Sequence, residues 1–200
     1  MKKLLVIVDM VNGFIKEGAM ADPYINTITP EVKRLIEEFI ENKNGEIIAF
    51  CDSHTMQSEE FKDYPVHCLK GTKESELIEE LQEYKENIII FEKDTTNGFE
   101  SEEYRKFIEE KQDEYDEIVV AGCCSDICVL NYVLSQKKDF DEKQSNVTIT
   151  VPVNAIETFD GPGHKRSEAN QYAVAKMLQN GIHIVDSYQL EENKERRLLF

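Results

Sequence analysis

The stretch IVVAGCCSDICVLNYVL, residues 118–134, passes without a break from a β-rich run into a helical pattern. Ile118–Ala121 is continuously apolar, three of its four residues β-branched, as expected of a strand covered on both faces. Gly122 to Asp126 is a turn composition, and Ile127–Leu134 returns to helical spacing. A strand that feeds a helix through a short Gly-containing turn is the repeating unit of a parallel α/β sheet.

The same unit recurs on either side. Leu4–Val8, Ile47–Phe50, Ile88–Phe91, Val147–Val151 and Ile182–Val185 are further continuous apolar runs. Between them lie amphipathic segments. The clearest is Val32, Leu35, Ile36, Phe39 and Ile40, with Thr29 as expected N-cap and Pro30 at the first helical position. Leu77–Leu81, Tyr104–Ile108 and Ala169–Leu178 are the others, the last closed by Asn180-Gly181. Six strands alternating with helices predict a single α/β domain over 1–200, a doubly wound, Rossmann-like, mainly parallel sheet with helices on both faces. Residues 10–29, 52–72 and 152–165 lack periodicity, and such loops usually carry function.

Composition narrows the function. The 200 residues carry 23 basic and 40 acidic side chains, a formal charge of −17, which disfavours nucleic acid and anionic membrane surfaces as partners. The opening MKKLLVIVDM has an apolar run too short for a signal peptide, and nothing reaches the roughly 20 apolar residues of a membrane span. A cytoplasmic protein is therefore expected, with its five cysteines as thiols. Self-association into a homo-oligomer stays open. No C-x-x-C, no G-x-G-x-x-G and no P-C-x-x-C occurs, which counts against zinc ribbons, thioredoxin-type motifs, dinucleotide sites and nucleobase deaminases.

Ligands of open α/β sheets bind beyond the carboxyl ends of the strands. Residues there are Asp9 after the first strand, Asp52 and His54 after the second, Lys93 after the third, and Gly122 to Cys128 after the fourth. Cys128 is expected in the first turn of a helix capped by Ser125 or Asp126, where free N–H groups and the helix dipole lower a thiol pKa. It is either a nucleophile or, like most cysteines, a packed hydrophobe; packing is the expectation for Cys51, Cys68, Cys123 and Cys124. Asp9 reads as a general base or as a turn residue, and Lys93 as its partner or as a surface ion pair with Glu92 and Asp94. Asp52, His54, Glu59, Glu60, Asp63 and His67 offer carboxylate and imidazole donors to a divalent metal, Zn²⁺, Mn²⁺ or Fe²⁺. Two of the four histidines fall within 14 residues here, which favours a site over an unrelated polar loop. His164 is expected in a solvated loop and His183 at a satisfied core position.

VDMVNGF (8–14), CDSHTMQSEEFKDYPVHCLKGT (51–72), FEKDTTNGF (91–99) and VAGCCSDICV (120–129) together resemble the isochorismatase-like cysteine hydrolases, in particular the nicotinamidase/pyrazinamidase branch. The likeness runs from Leu4 to about Val185. It implies a catalytic triad of Asp9, Lys93 and Cys128, and a cis peptide at Cys123–Cys124. The oxyanion would lie on the N–H groups of Cys124 and Cys128. It also implies a metal, zinc foremost with iron or manganese as alternatives, on Asp52, His54 and His67. Relatives often place a histidine between those two; this chain has none, and Glu60 takes the position some relatives give to glutamate, with Glu59 and Asp63 still open. Phe14 and Tyr64 match positions where the family sets aromatic rings against its substrate. The implied activity is hydrolysis of nicotinamide to nicotinate and ammonia through a Cys128 thioester. The rivals are a family hydrolase of another small amide or carbamoyl compound, and a non-catalytic ligand-binding protein.

Overall fold

The computed structural model describes residues 2–42 and 45–190. Seven strands form one parallel sheet: β1 Lys2–Val8, β2 Gly45–Asp52, β3 Ile89–Lys93, β4 Tyr115–Cys123, β5 Thr148–Pro152, β6 Ile156–Glu157 and β7 His183–Val185. Their order is β3-β2-β1-β4-β5-β7, with β6 paired to the end of β4. The six apolar runs are all strands. The seventh, β6, is two residues long and so left no run to read.

Helices α1 Asn12–Ile15, α2 Thr29–Glu41, α3 Glu79–Gln82, α4 Glu102–Lys111, α5 Leu130–Glu142 and α6 Arg166–Gln179 cover the sheet. Side chains alternate across a strand, so each continuous run feeds two cores. Leu5 and Ile7 pack with Val32, Leu35 and Ile36 of α2, whereas Leu4, Val6 and Val8 pack with Tyr104 of α4, Val133 of α5 and Met177 of α6. Each such side chain contributes about 1.5–3 kcal/mol on burial, and a strand needed by both layers cannot alternate polar and apolar.

Three local expectations are corrected. Thr29 is not an N-cap: the preceding turn Pro23–Ile28 already has helical backbone, Asp22 caps that turn through the Tyr24 N–H, and the Thr29 hydroxyl donates to Asn26 Oδ1 at 2.8 Å. Leu77–Leu81 yields only the single turn α3, because the Ile78 N–H is taken by the Met10 carbonyl and Leu77 bridges to Val11. Neither Ser125 nor Asp126 caps the helix after β4. Ser125 Oγ bonds Asn170 Oδ1 and Asp126 pairs with His164. No described helix is long and apolar enough to cross a membrane.

Strand order reverses direction between β1 and β4, since β1 leads outward to β2 and β3 while β4 leads to β5 and β7. The crevice beyond the carboxyl ends at such a switch point is where open α/β sheets bind ligands. The residues after β1 and β4 are Asp9 and the turn carrying Cys128.

Candidate active site

Asp9 leaves β1 with φ of 51°, a left-handed conformation that aspartate tolerates better than most residues, and is fully buried. Its N–H still bonds the Phe50 carbonyl of β2, while its carboxylate accepts from the Asp52 N–H at 3.1 Å. Asp52 and Lys93 are register partners at the ends of β2 and β3. Lys93 is buried, its ammonium 2.8 Å from Asp9 Oδ2, in contact with Asp52 Oδ1 and 3.0 Å from the Thr95 carbonyl it donates to. A surface ion pair with Glu92 is excluded, because Glu92 points out to Lys70.

The turn after β4 is wider than an α-helical one: the Cys124 carbonyl accepts from the N–H groups of Ile127 and Val129. The Cys123–Cys124 peptide is cis. Gly122 precedes it at φ of 120°, where a Cβ would lie 2.0 Å from the Val8 carbonyl oxygen, so only glycine lets β4 run against β1 here. The turn brings the buried Cys128 thiol close enough to Asp9 and Lys93 for each to act on its charge. Asp9, Lys93 and Cys128 are thus one cluster.

Electrostatics corrects the expectation of a lowered thiol pKa. Burial pushes Cys128 well above its ordinary value; Lys93 opposes this, and Asp9 and Asp52 add to it. Asp9 is raised to about 7 by burial, with Lys93 opposing and the Asp52 charge assisting. Burial would also raise Asp52, but Lys93, His54 and His67 outweigh it and hold this carboxyl well below its usual range. Burial works against the Lys93 charge, yet Asp52 and Asp9 keep it protonated. The resting cluster is therefore a thiol beside a carboxyl whose pKa is near neutrality.

Beside it, Asp52, His54, Glu60 and His67 bring four donor atoms within 4.8 Å of one another. His54 Nε2 lies 3.2 Å from Asp52 Oδ2 and 3.6 Å from Glu60 Oε2; His67 Nε2 lies 3.5 Å from the same Asp52 oxygen. The other nitrogen of each ring is held from behind, by Ser58 Oγ at 3.0 Å for His54 and by the Pro65 carbonyl at 2.7 Å for His67. That is how metal-ligating imidazoles are oriented. Glu60 Oε1 is buried without a hydrogen-bond partner, and burial, assisted by Asp52, raises this carboxyl. Glu59 and Asp63 are exposed, Glu59 pairing with Lys62. An N₂O₂ set with one orphaned carboxylate oxygen fits a divalent metal ion.

Cys128 of the first cluster and Asp52, Glu60 and His67 of the second line one cavity. Phe14 and Tyr64 line it, their rings 5.6 and 6.4 Å from that of His67. Cys124 lines it too, whereas Cys51, Cys68 and Cys123 are buried away from it. Met20, Thr96, Ile127 and Phe159 complete the lining and went unread in the sequence, as did Ser58 and Phe61, whose ring packs on both histidines. Two histidine expectations fail. His164 is three-quarters buried, paired with Asp126 and stacked on Phe159, and His183 is half-buried on the edge strand β7 rather than in the core.

Residues 3–189 match the family described as isochorismatase domain. A nicotinamidase of Arabidopsis thaliana is 39% identical over 175 residues, which cover 80% of this chain and 71% of that protein. The crystal structure of a nicotinamidase from Bacillus subtilis matches with a TM-score of 0.73 at 27% identity, over 92% of this chain and 98% of that one. That of an N-carbamoylsarcosine amidase from Thermoplasma acidophilum gives 0.75 at 26%, over 96% and 100%. With a parallel sheet whose switch point joins an acid, a lysine and a cysteine, and with a match spanning nearly all of its length, the chain belongs to the isochorismatase family, on its nicotinamidase-like branch of hydrolases that act on amide C–N bonds.

Proposed function

We propose that the protein hydrolyses nicotinamide to nicotinate and ammonia, with Cys128 as nucleophile. The observation that carries this reading is a cavity walled by Cys128 together with Asp52, Glu60 and His67 of the donor cluster, with Asp9 and Lys93 paired in the buried interior beside it. Since the thiol rests protonated, attack and proton transfer are coupled. Asp9 takes the Cys128 proton as the sulfur bonds to the carboxamide carbon, and the carbonyl becomes an oxyanion. The N–H groups of Cys124 and Cys128 receive that charge, each such donor being worth about 3 kcal/mol of barrier. Lys93 keeps positive charge beside Asp9 throughout. As the C–N bond breaks, Asp9 gives its proton to the departing nitrogen, which leaves as ammonia. Water then adds to the thioester, Asp9 accepts its proton, and nicotinate departs as the proton returns to sulfur. Asp52, His54, Glu60 and His67 would hold a divalent ion, zinc foremost, which as a Lewis acid would bind the pyridine nitrogen and orient the carboxamide.

Ammonia release from nicotinamide, with and without a chelator, tests this reading. Cys128→Ala should lower turnover by at least on the order of 10³-fold while the unfolding midpoint holds. A variant still working at the wild-type rate would end the assignment. A second reading, hydrolysis of an N-carbamoyl compound, is favoured by the likeness to the N-carbamoylsarcosine amidase. Turnover of such a compound, with nicotinamide left intact, would select it.

A further inference from the structure

We propose that Phe159 is the aromatic specificity wall of this amide site and that His164 and Asp126 are positioning residues that hold its ring; the inference rests on the cavity being the amide site.

Phe159 lines the cavity together with Cys124, Ile127 and Cys128. Its ring is stacked on that of His164, centroids 3.9 Å apart and planes 11° from parallel. The two nitrogens of His164 face two acceptors: Nδ1 lies 3.2 Å from the Phe159 carbonyl and Nε2 lies 2.8 Å from Asp126 Oδ2. His164 is thus fixed at both ends, and Phe159 is fixed through it. Asp126 belongs to the turn Ser125–Val129 that also carries Cys128, so the wall is tied to the segment that sets the sulfur. Asp126 Oδ1 is buried without a hydrogen-bond partner, and Oδ2 of the same carboxylate holds His164. Phe14 and Tyr64 stand on the other cluster, with their rings against His67. Phe159 is the ring that belongs to the nucleophile's side.

The loop does not depend on His164 for its path. Gly161 and His164 exchange backbone hydrogen bonds of 2.9 and 3.0 Å. Asp22 accepts from the Asp160 N–H at 3.0 Å and from Arg166 Nη2 at 2.6 Å, and Arg166 Nε bonds the Thr158 carbonyl. Removing the imidazole therefore frees the Phe159 ring without releasing the segment. A flat apolar wall rewards a flat, π-bearing acyl group by stacking and gives an aliphatic one no such gain. The site should prefer aromatic and heteroaromatic carboxamides.

The test uses the metal-loaded enzyme with Phe159→Leu, His164→Ala, Asp126→Asn, Phe159→Tyr and the double variant Phe159→Leu/His164→Ala. KM and kcat are measured for nicotinamide and for propionamide, and nicotinamide binding to Cys128→Ala is titrated calorimetrically with and without Phe159→Leu. Phe159→Leu, His164→Ala and Asp126→Asn should each raise KM for nicotinamide about tenfold with a much smaller change in kcat, and should raise KM for propionamide far less than for nicotinamide. Phe159→Tyr should retain the wild-type KM. The double variant should be no worse than Phe159→Leu alone, because His164 acts through Phe159. An unchanged KM for nicotinamide, an equal rise for both amides, or full additivity would overturn the inference. A wild type that turns over no nicotinamide would sink the proposed function, and the binding arm would still decide here. Binding that Phe159→Leu does not weaken, or no binding to Cys128→Ala, would refute the wall.

Discussion

Replacing Lys93 by methionine removes an ammonium that two buried carboxylates share and leaves an apolar stem of similar length in its place. Unit charges 2.8 Å apart, the separation from Asp9 Oδ2, interact by about 6 kcal/mol at an effective dielectric constant of about 20. Desolvation of all partners offsets much of that in the wild type, but deleting one partner leaves the others buried and unpaired, at a typical cost of about 3–5 kcal/mol. Asp52 retains its two histidines, so the loss falls on Asp9. In a chain of this size the expected fall in unfolding midpoint is on the order of 10 °C. Sign and pH follow from Asp9. Its folded pKa, about 7 against an ordinary 3.8, means that the folded state holds the proton more tightly, so this carboxyl erodes stability as pH rises through that interval. Without Lys93 the folded value moves higher, the erosion continues further, and the deficit of Lys93→Met should be larger at pH 8 than at pH 6. Asp9 would then also be protonated at neutrality and unable to accept the Cys128 proton. Thermal unfolding of chelator-treated protein at both pH values, with Asp9→Asn and the double variant, completes a cycle. Asp9→Asn/Lys93→Met should recover most of the lost stability and remain inactive. A Lys93→Met midpoint within 2 °C of wild type at pH 8, or losses that simply add in the double variant, would refute the shared-cation account.

Elemental analysis should find bound metal much reduced in Asp52→Asn, His54→Ala and Glu60→Gln, and unchanged in Glu59→Gln, whose side chain is exposed on Lys62; equal loss in the two glutamate variants would redraw the site. Gly122→Ala must accommodate a Cβ 2.0 Å from the Val8 carbonyl at a positive φ, so urea unfolding should show a loss of about 4 kcal/mol or more, and a loss under ~1 kcal/mol would show that β1 and β4 can part without penalty. Glu46 is held down to about 2: burial would raise it, but Lys111, Tyr115 and Lys2 more than compensate. Its contribution should be complete above pH 4.5 and be lost as pH falls through about 2, so Glu46→Gln should be less stable than wild type at pH 6 and converge with it near pH 2; a constant gap would contradict the shift.

The sheet was legible because parallel strands are covered on both faces, so Leu4–Val8 and Ile118–Ala121 could not hide a polar side. The site followed from asking which residues come after those strands, and Asp9, Asp52, Lys93 and Cys128 stand at those ends. What escaped lacks periodicity and depends on distant partners. The brevity of α3 is set by Met10 and Val11, some seventy residues earlier in the chain. His164 sits between Gly163 and a charged segment, a solvated composition, and only the fold brings Asp126 to it. The Cys128 pKa was misjudged for a related reason: the turn that provides free N–H groups is visible in sequence, whereas full burial beside Asp9 and Asp52 is not.

The pairing of Asp52 with Lys93 across β2 and β3 makes the charge of the site a readout of strand register. Side chains alternate faces along β3, and Lys93 is flanked by Glu92 and Asp94. A slip of one residue would swing Lys93 to the opposite face and bring a carboxylate up to the buried Asp52 and Asp9. The misregistered sheet would thereby replace two attractions with two repulsions in a place that water cannot reach to screen. The hydrophobic pattern Ile88–Phe91 discriminates weakly between such registers, because every residue in it is apolar. The lysine proposed to serve the chemistry would thus also proofread the assembly of the edge strand that bears it.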